Sequence, residues 1–430
     1  METRKNYTLP ILMMILLFGM ISFVTNLAAP MGVVLGEQFG IPDSVGMLGN
    51  MFNFVAYAIM GIPAGILLQK IGYKKTALIA IVIGFVGVLI QYLSGHVGES
   101  QLPTLVVYFS GAFVAGLSMT LLNTVVNPML NTLGGEGNKG NQLIQIGGSF
   151  NSVMATFTPA FVGILIGEAA KAQIRDVFPV MYIAMGVFAL VFLVLWAVSI
   201  PEPQAEQASE PMGNLMSGAL KFRHFILGAV GIFIYVGVEV GTPATVNLWL
   251  SKLPEYGKAI AGSVAGTYWF LMLIGRLCGA SIGGKVSSKT MLTIGSLVAL
   301  VLVALAVFSP TTTEVSLPVL QKSGIGAISF GLAQVPINAM FLVLVGLCTS
   351  IMWGGIYNLA VEGLGKYLKA ASGIFMVMVC GGGILPWVQA SVADFAGYMV
   401  SYWVMFAGFV YLFFYALIGS KNVNKDIKVD

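Results

Sequence analysis

One acidic residue, Glu239, stands in the middle of an apolar stretch, FIYVGVEVGTPA, at residues 233–244. An acid at the centre of a bilayer costs about 2.5–3.5 kcal/mol on insertion scales, and such acids generally face a cavity or a transport path. Glu239 is therefore a candidate to carry a proton or, with neighbouring carbonyl groups, to bind a sodium ion. The alternative is a structural acid that pairs with a hydroxyl group or with Arg276, and the sequence leaves both interpretations open.

Amide side chains inside apolar stretches form a second set of candidates. Asn and Gln supply both donors and acceptors, which suits the hydroxyl groups of a neutral ligand. Asn123 and Asn127 are four residues apart, so they share one face of a helix. The alternative is that these amides join helices to one another, which is worth under about 2 kcal/mol per bond in membranes. The predicted amide ligands are Asn26, Asn123, Asn127, Gln145, Asn151, Asn247 and Gln389.

Aromatic rings can stack on the apolar face of a ligand ring, although most aromatic residues in membrane helices only pack or anchor the interface. Trp353 and Tyr357 lie one helical turn apart and are the best aromatic candidates. The wider aromatic set also includes Tyr57, Tyr268, Trp269 and Trp387.

Gly241 and Pro243 follow Glu239 within about one helical turn. Because proline has no backbone N–H, Pro243 predicts a kink or an interrupted helix whose unpaired carbonyl groups line a cavity. This kink either serves as a hinge or gate during conformational change or is merely tolerated by the fold, and the sequence leaves both interpretations open.

No pattern of catalytic residues is present. His96 and His224 share no motif, the three cysteines are isolated, and no phosphate-binding loop occurs. We therefore predict that the protein is not an enzyme and has no catalytic residues, no metal site and no cofactor other than a coupling ion, H⁺ or Na⁺.

The composition indicates where these residues must lie. Of 430 residues, 57% are hydrophobic and only 9% are charged, against about 25% charged residues in soluble domains. The mean hydropathy is +0.91. These values exclude a soluble enzyme and a disordered chain, and the net charge of only +4 suggests no nucleic-acid partner. The chain is predicted to span a lipid bilayer many times.

Twelve apolar stretches are long enough to cross a bilayer and predict an all-α membrane protein. Most of the 21 Lys and Arg residues fall on the inner side when the N-terminus is placed inside, which predicts cytoplasmic termini. The connector at residues 309–334 holds a moderately apolar segment, 327–332, which is interpreted as part of a re-entrant or interfacial piece. The predicted spans cover residues 9–34, 45–68, 76–93, 105–133, 143–166, 180–200, 225–250, 261–282, 291–308, 338–362, 373–392 and 398–418.

A polar segment at residues 201–223, rich in Pro, Glu, Ser and Gln in its first half, divides these spans into two groups of six. We therefore predict an N-terminal bundle at residues 1–200, a cytoplasmic linker at 201–223 and a C-terminal bundle at 224–430. Two bundles of six spans are the layout of major facilitator transporters, which expose a central site to alternate sides.

Several short segments, spread over both halves, carry family-like motifs: TNLAAP (25–30), IPAGILLQKIGYKK (62–75), GLSMTLLNTVVNPMLNTLG (116–134), SFNSV (149–153), YVGVEVG (235–241), IGRLCG (274–279) and IYNLAVEGLGKYLKAASGIFMVMVCGGGILP (356–386). These segments resemble the fucose and glucose/galactose permease branch of the major facilitator superfamily. In one of them, Gly65, Lys70 and Lys74 resemble the family's loop between the second and third helices, and Gln69 replaces the acid that is usual there. These three residues, with Pro243 and Arg276, are predicted to act in conformational change.

This resemblance implies a proton-linked importer of monosaccharides. Where fucose permeases carry an aspartate in the first helix and a glutamate in the fourth, this chain has Asn26 and Asn123, neither of which can carry a proton. These departures count against coupling of the fucose type through those two positions and against fucose itself, and Glu239 is the predicted coupling group.

The sequence thus predicts a secondary active transporter that imports a glucose/galactose-like or fucose-like hexose together with a cation. The alternatives are an uncoupled facilitative sugar uniporter and an exporter of another small solute on the same fold. The expected partners are a sugar and the lipid bilayer. We expect a monomer in the cell inner (plasma) membrane, spanning it many times.

Overall fold

The computed structural model describes residues 7–98, 100–134, 139–166, 172–200, 202, 212–282, 286–322, 328–424 and 427. Within these ranges the chain is almost entirely helical, apart from one pair of strands. Short 3₁₀ turns cover Ile174–Val177 and Gly365–Tyr367, and a π-helical turn covers Tyr415–Gly419. The α-helices are α1 Thr8–Phe39, α2 Asp43–Gly46, α3 Leu48–Ile71, α4 Tyr73–Ser94, α5 Gln101–Gly134, α6 Lys139–Ile166, α7 Phe178–Ala197, α8 Met212–Ala219, α9 Arg223–Ser251, α10 Gly257–Ile282, α11 Ser288–Phe308, α12 Ile337–Thr349, α13 Met352–Val361, α14 Leu368–Met378, α15 Gly381–Ala396 and α16 Tyr398–Phe414.

Twelve stretches of the described residues are long and apolar enough to cross a bilayer, which confirms the predicted number of spans. Two of them are built from two helices each. The tenth span, Ile337–Val361, joins α12 and α13, and the eleventh, Ala370–Ala396, joins α14 and α15. In the eleventh span the break precedes three consecutive glycines, which are poor helix formers.

The seventh span differs from the expectation of an interrupted helix, because α9 runs through Pro243 without a break. Thr242 explains part of this continuity. Its hydroxyl group donates to the carbonyl of Val238 (2.7 Å), and its own carbonyl accepts a hydrogen bond from the hydroxyl of Tyr402 (2.9 Å). Polar contacts of this kind around a proline let a membrane helix continue, since they satisfy backbone groups next to the missing N–H.

The first six and last six spans meet most closely where α6 packs on α10. Glycines allow this approach: a Cβ atom on Gly262 would lie 2.3 Å from the carbonyl oxygen of Pro159, and one on Gly163 would lie 2.5 Å from that of Lys258. Small residues bring membrane helices into backbone contact in this way. The contact forms one of the two long seams between the halves, and α3 against α15 forms the other.

The connector between α11 and α12 forms an antiparallel hairpin of β1 Glu314–Lys322 and β2 Ile328–Pro336. Its register pairs Glu314 with Pro336 and Lys322 with Ile328. Strand β1 packs against α10, and it also contacts α12 and α6. The sequence indicated a special connector here but not strands, because Pro318 in the middle of β1 weakens the strand signal.

The predicted linker at residues 201–223 contains the short helix α8, and α9 already begins at Arg223. Residue 201 and residues 203–211 of the linker lie outside the described part of the chain.

Candidate functional site

A cavity lies between the two halves of the molecule, and both halves contribute to its wall. It is small and partly open to the surroundings: its volume of about 20 Å³ has room for a water molecule, so a larger ligand can enter only when the halves move apart. Its polar groups come from α1, α3 and α9, and an indole ring from α10 closes one side. The lining residues are Thr25, Asn26, Ala29, Pro30, Asn50, Pro159, Val240, Pro243, Ala244, Asn247, Ala265 and Trp269.

Three amides in this wall give the cavity its hydrogen-bonding capacity. Asn26 donates to the carbonyl of Ser22 (2.9 Å) and to its hydroxyl oxygen (3.2 Å). Asn50 donates to the carbonyl of Gly382 (2.8 Å), and Asn247 is 4% exposed. Asn26 and Asn247 are predicted ligands, whereas the sequence gave no particular signal for Asn50. Trp269 belongs to the wider aromatic set and was not among the preferred candidates.

The remaining predicted amides of the first half do not line this cavity. Asn123 donates to the hydroxyl oxygen of Tyr57 (2.8 Å), and Asn127 donates to the carbonyl of Asn123 (3.1 Å). Asn151 donates to the carbonyl of Phe18 (3.2 Å), which joins α6 to α1. The contacts of Asn123 and Asn151 connect helices of the first half, and that of Asn127 lies within α5. The side chain of Gln145 lies outside the described part of the chain.

Glu239 contacts both partners that the sequence left open. The hydroxyl of Tyr235 donates to its Oε1 atom at 2.8 Å, and Nη2 of Arg276 lies 3.6 Å from the same atom. Arg276 also donates through Nη1 to the carbonyl of Gly148 (2.7 Å) and the hydroxyl oxygen of Ser152 (2.8 Å). Arg276 therefore connects α10 to α9 within the second half and to α6 of the first half.

The acid lies beside the cavity, and its side chain is largely buried. The exposed fraction is 13% for the Glu239 side chain and 18% for that of Arg276. Glu239 is followed along α9 by the cavity residues Val240 and Pro243. A charge change at Glu239 can thus affect both the cavity and the contact between the halves.

The predicted aromatic ligands, Trp353 and Tyr357, do not line the cavity, and Trp353 lies near Glu239. The ring of Trp353 is 6.1 Å, centroid to centroid, from that of Tyr235, which itself donates to Glu239. The hydroxyl groups of Tyr357 and Ser372 are 3.0 Å apart. The tenth span thus contributes one aromatic neighbour to the tyrosine that holds the acid.

Gln389 is fully buried between α15 and α9 and does not line the cavity. Neither of its amide atoms has a hydrogen-bond partner among the described residues. A Cβ atom on Gly241 would lie 2.8 Å from its Oε1 atom, which places the amide beside the turn of α9 that precedes Pro243.

Lys74 lies in the first turn of α4 and ties the start of the third span to the end of the sixth. Its Nζ atom donates to the carbonyl groups of Trp196 (2.8 Å) and Val198 (2.7 Å). The backbone N–H groups of Tyr73 and Lys74 donate to the carboxylate of Glu202 at 2.7 and 2.9 Å. A carboxylate at a helix N-terminus is favourable, and the sequence did not predict this role for Glu202. A Cβ atom on Gly65 would meet no atom within 4 Å, and Lys70 is exposed.

A charged network holds the halves together at the end of the molecule where α1 ends and α3 begins, which we call the Asp43 end. Asp43, with a side chain only 4% exposed, accepts from Lys252 at 2.8 Å and from the hydroxyl of Tyr398 at 2.5 Å. The backbone N–H groups of Asp43 and Ser44 donate to the carboxylate of Asp394 (2.9 and 2.8 Å).

A second ion pair lies nearby at the same end, between Glu37 of α1 and Lys258 of α10, at 3.0 Å. Like the Asp43 contacts, it joins the first half to the second. The sequence gave no signal for either set of contacts, because the partners lie more than 200 residues apart along the chain.

The sequence and the structure were compared with known proteins. Residues 11–386 match the sequence model of the Major Facilitator Superfamily, so the match covers well over half of the chain. This chain belongs to the Major Facilitator Superfamily. Membership confirms the predicted fold class, and it agrees with the twelve spans.

Several bacterial members of the superfamily are similar along nearly the whole chain. The glucose/galactose transporter of Brucella abortus is 28% identical over 98% of this chain and 96% of its own length. The putative glucose/galactose transporter of Helicobacter pylori is 27% identical over 94% and 95%. The L-fucose-proton symporter of Escherichia coli is 22% identical over 91% and 89%. These names confirm the resemblance to that branch of the superfamily, and they belong to transporters, not enzymes.

Solved structures of superfamily members have the same fold. A crystal structure of the Escherichia coli fucose:proton symporter has a TM-score of 0.69 at 20% identity and covers 97% of this chain and 100% of its own. The D-xylose-proton symporter has a TM-score of 0.67 at 14% identity, with 98% and 99% coverage. The chain is thus a multi-pass membrane protein with the fold of these transporters.

Proposed function

We propose that this protein imports a hexose of the glucose/galactose or fucose type by alternating access and that the import is driven by protons. The single observation that supports proton coupling is the position of Glu239. This acid is largely buried and is held by Tyr235 and Arg276 beside a cavity between the halves. The names of the relatives support a hexose as the transported solute.

The cavity has the chemistry for a neutral sugar. Asn26, Asn50 and Asn247 present amide groups that can donate to and accept from hydroxyl groups. Trp269 offers an aromatic face for the apolar side of a pyranose ring. Each such hydrogen bond adds a net ~0.5–1.5 kcal/mol, so several amides together are needed for useful affinity.

Protonation of Glu239 is the coupling step in this proposal. The ionised carboxylate attracts Arg276, which at the same time holds Gly148 and Ser152 of α6. When Glu239 takes up a proton, this attraction is lost, and Arg276 is held by α6 alone. The position of the proton then changes the relative free energy of the two arrangements of the halves, which is what coupling requires.

The orientation and the division of the chain belong to the same proposal. The excess of Lys and Arg on one side supports a position in the inner (plasma) membrane with both termini in the cytoplasm. The bundles at residues 1–200 and 224–430 then rock about the cavity, joined by the linker at 201–223, and the protein works as a monomer.

Uptake into proteoliposomes tests the proposal. We expect radiolabelled glucose, galactose or fucose to accumulate above equilibrium under an inward proton gradient, and not under a sodium gradient. The Glu239→Gln variant is expected to equilibrate the sugar without accumulating it. Glu255→Gln, the same change at an exposed loop residue, serves as the matched control and should accumulate sugar normally.

The alternatives correspond to distinct results. Equilibration without accumulation by the unmodified protein would indicate a uniporter, in keeping with Asn26 and Asn123 at the two positions where fucose permeases have acids. Accumulation by Glu239→Gln at the normal level would contradict the role of Glu239. Failure to take up any hexose would contradict the sugar assignment and favour an exporter of another solute.

A further inference from the structure

The hairpin of β1 and β2 lies alongside α10, and two contacts fix its direction. At one end the hydroxyl of Tyr256, the residue before α10, donates to Oε1 of Glu314 at 2.8 Å. Further along, the ring of Phe270 lies 5.3 Å, centroid to centroid, from that of Phe330. The hairpin thus runs from the first residue of α10, at the Asp43 end, toward the middle of that helix.

The length of α10 shows how deep this contact lies. With 26 residues, α10 is about 39 Å long at about 1.5 Å per residue, whereas the hydrocarbon core is about 30 Å thick. Phe270 lies about 20 Å from the start of the helix by the same rise. Wherever the surplus of about 9 Å projects, Phe270 and the ring of Phe330 remain within the hydrocarbon core.

The strands give the same depth independently. Phe330 pairs with Leu320, which lies six residues beyond Glu314, or about 20 Å at about 3.4 Å per residue. The hairpin and the helix therefore run side by side over this distance, and the hairpin does not stand above the membrane.

The exposed face of the hairpin changes in polarity along this direction. Near Glu314 it is polar, and Gln334 donates to the hydroxyl oxygen of Ser316 across the strands at 2.8 Å. Deeper along the hairpin, the large exposed side chains are Leu332 (68%) and Phe330 (57%), and Pro318 and the small polar Ser329 are exposed beside them. A surface that is polar near Glu314 and mainly apolar around Leu332 and Phe330 matches the passage from the lipid headgroups into the hydrocarbon.

The edge of β1 that faces α10 leaves no unpaired backbone group at Pro318. Unpaired backbone groups cost several kcal/mol in lipid. Pro318, opposite Leu332, has no N–H group, and its carbonyl accepts a hydrogen bond from the hydroxyl of Thr267 at 3.2 Å. At this residue β1 therefore presents no unpaired polar backbone group.

We propose that the β1–β2 hairpin is inserted into the bilayer from the Asp43 end and that Leu332 and Phe330 contact lipid acyl chains. Because β1 packs on α10 and also contacts α6, the hairpin covers the lipid-facing side of the seam between these two helices. The inference depends on membrane embedding alone and not on the transported solute or the coupling ion.

Spin-label accessibility in vesicles of phosphatidylcholine and phosphatidylglycerol tests this proposal. The three native cysteines, Cys278, Cys348 and Cys380, are replaced by Ala, and one nitroxide is placed by Leu332→Cys. We expect this label to collide several-fold more with oxygen than with a water-soluble nickel chelate. Leu297→Cys, at an exposed position of the membrane helix α11, should behave alike, and Thr312→Cys, in the exposed connector, should show the reverse.

Two results would overturn the proposal. Nickel accessibility at position 332 equal to that at position 312 would place the hairpin in water. Low accessibility to both reagents would mean that protein covers the face, and a distance measurement between labels on two copies would identify a second chain as the cover.

A pair of substitutions gives a readout that does not depend on labels. Leu332→Lys is expected to lower the thermal stability of the protein in lipid nanodiscs, because it places a charge in hydrocarbon. Thr312→Lys, the same charge in the exposed connector before the hairpin, should leave stability unchanged. Equal tolerance of both changes would contradict insertion of the hairpin.

Discussion

At the scale of single residues, Asn247 is the most informative member of the cavity wall. It lies one turn beyond Pro243 on α9, lines the cavity and is 4% exposed. Asn247→Ala removes amide donors and an acceptor that a sugar can use, and each hydrogen bond is worth about 0.5–1.5 kcal/mol net. We expect the KM for the sugar to rise about 2- to 10-fold with little change in the maximal rate, as measured by the concentration dependence of uptake.

The control for this prediction is another amide on a membrane helix. Asn358 of α13 is exposed, and its Nδ2 atom lies 3.4 Å from the hydroxyl oxygen of Ser288, outside the cavity wall. Asn358→Ala should leave the KM unchanged. An equal rise in KM for both variants, or none for Asn247→Ala, would remove Asn247 from the site.

At the scale of helices and strands, the sequence predicted those features that depend on local composition. The twelve spans follow from apolar runs, and the prediction of their number is confirmed. The path of α9 through Pro243 depends on a tyrosine of another helix, Tyr402, which bonds the carbonyl of Thr242. The hairpin depends on side-by-side packing with α10. Neither the Tyr402 hydrogen bond nor the packing of the hairpin on α10 can be recognised from the hydrophobic periodicity of the segments involved.

The seam between α6 and α10 is a feature of two elements together, and it gives a prediction at that scale. In Gly262→Ala the new Cβ atom would lie 2.3 Å from the carbonyl oxygen of Pro159, so the helices must separate. We expect a loss of about 1–3 kcal/mol in the free energy of unfolding, as for other overpacked cores, measured as a lower midpoint of thermal unfolding in detergent.

The matched control is Gly186→Ala on α7, where a new Cβ atom would meet nothing within 4 Å. This change should be neutral or slightly stabilising, since alanine is the better helix former. If Gly262→Ala were as stable as Gly186→Ala, the close approach of α6 and α10 would not be a requirement of the fold.

At the scale of the whole molecule, the contacts at the Asp43 end could not be predicted from the sequence. The partners that close this end are more than 200 residues apart, and Asp43 and Tyr398 are 355 apart. Each acid taken alone looks like an ordinary loop residue. The cavity is a similar case: Asn26 and Asn247 were predicted, but only the packing of α1 and α3 on α9 and α10 adds Asn50 and Trp269 to the same wall.

The network at the Asp43 end also predicts how the halves move. Asp43 is buried, and Lys252, although 55% exposed, is its cationic partner at 2.8 Å. Lys252→Gln removes the cationic partner of the Asp43 carboxylate. In the closed state this carboxylate is then buried without a counter-charge, whereas in the open state water solvates it. The variant is therefore expected to shift the population by a few-fold toward the state in which the Asp43 end is open.

Spin labels at two exposed loop residues, Ser100→Cys in the first half and Thr311→Cys in the second, report this opening as a distance distribution. Lys252→Gln should increase the fraction at longer distance. Lys289→Gln, the same change at an exposed lysine where α11 begins, should leave the distribution unchanged. If both variants kept the distribution of the unmodified protein, the Asp43 contacts would be a consequence of closure and not one of its causes, and the free energy that holds this end shut would have to come from the packing of α2 against α15.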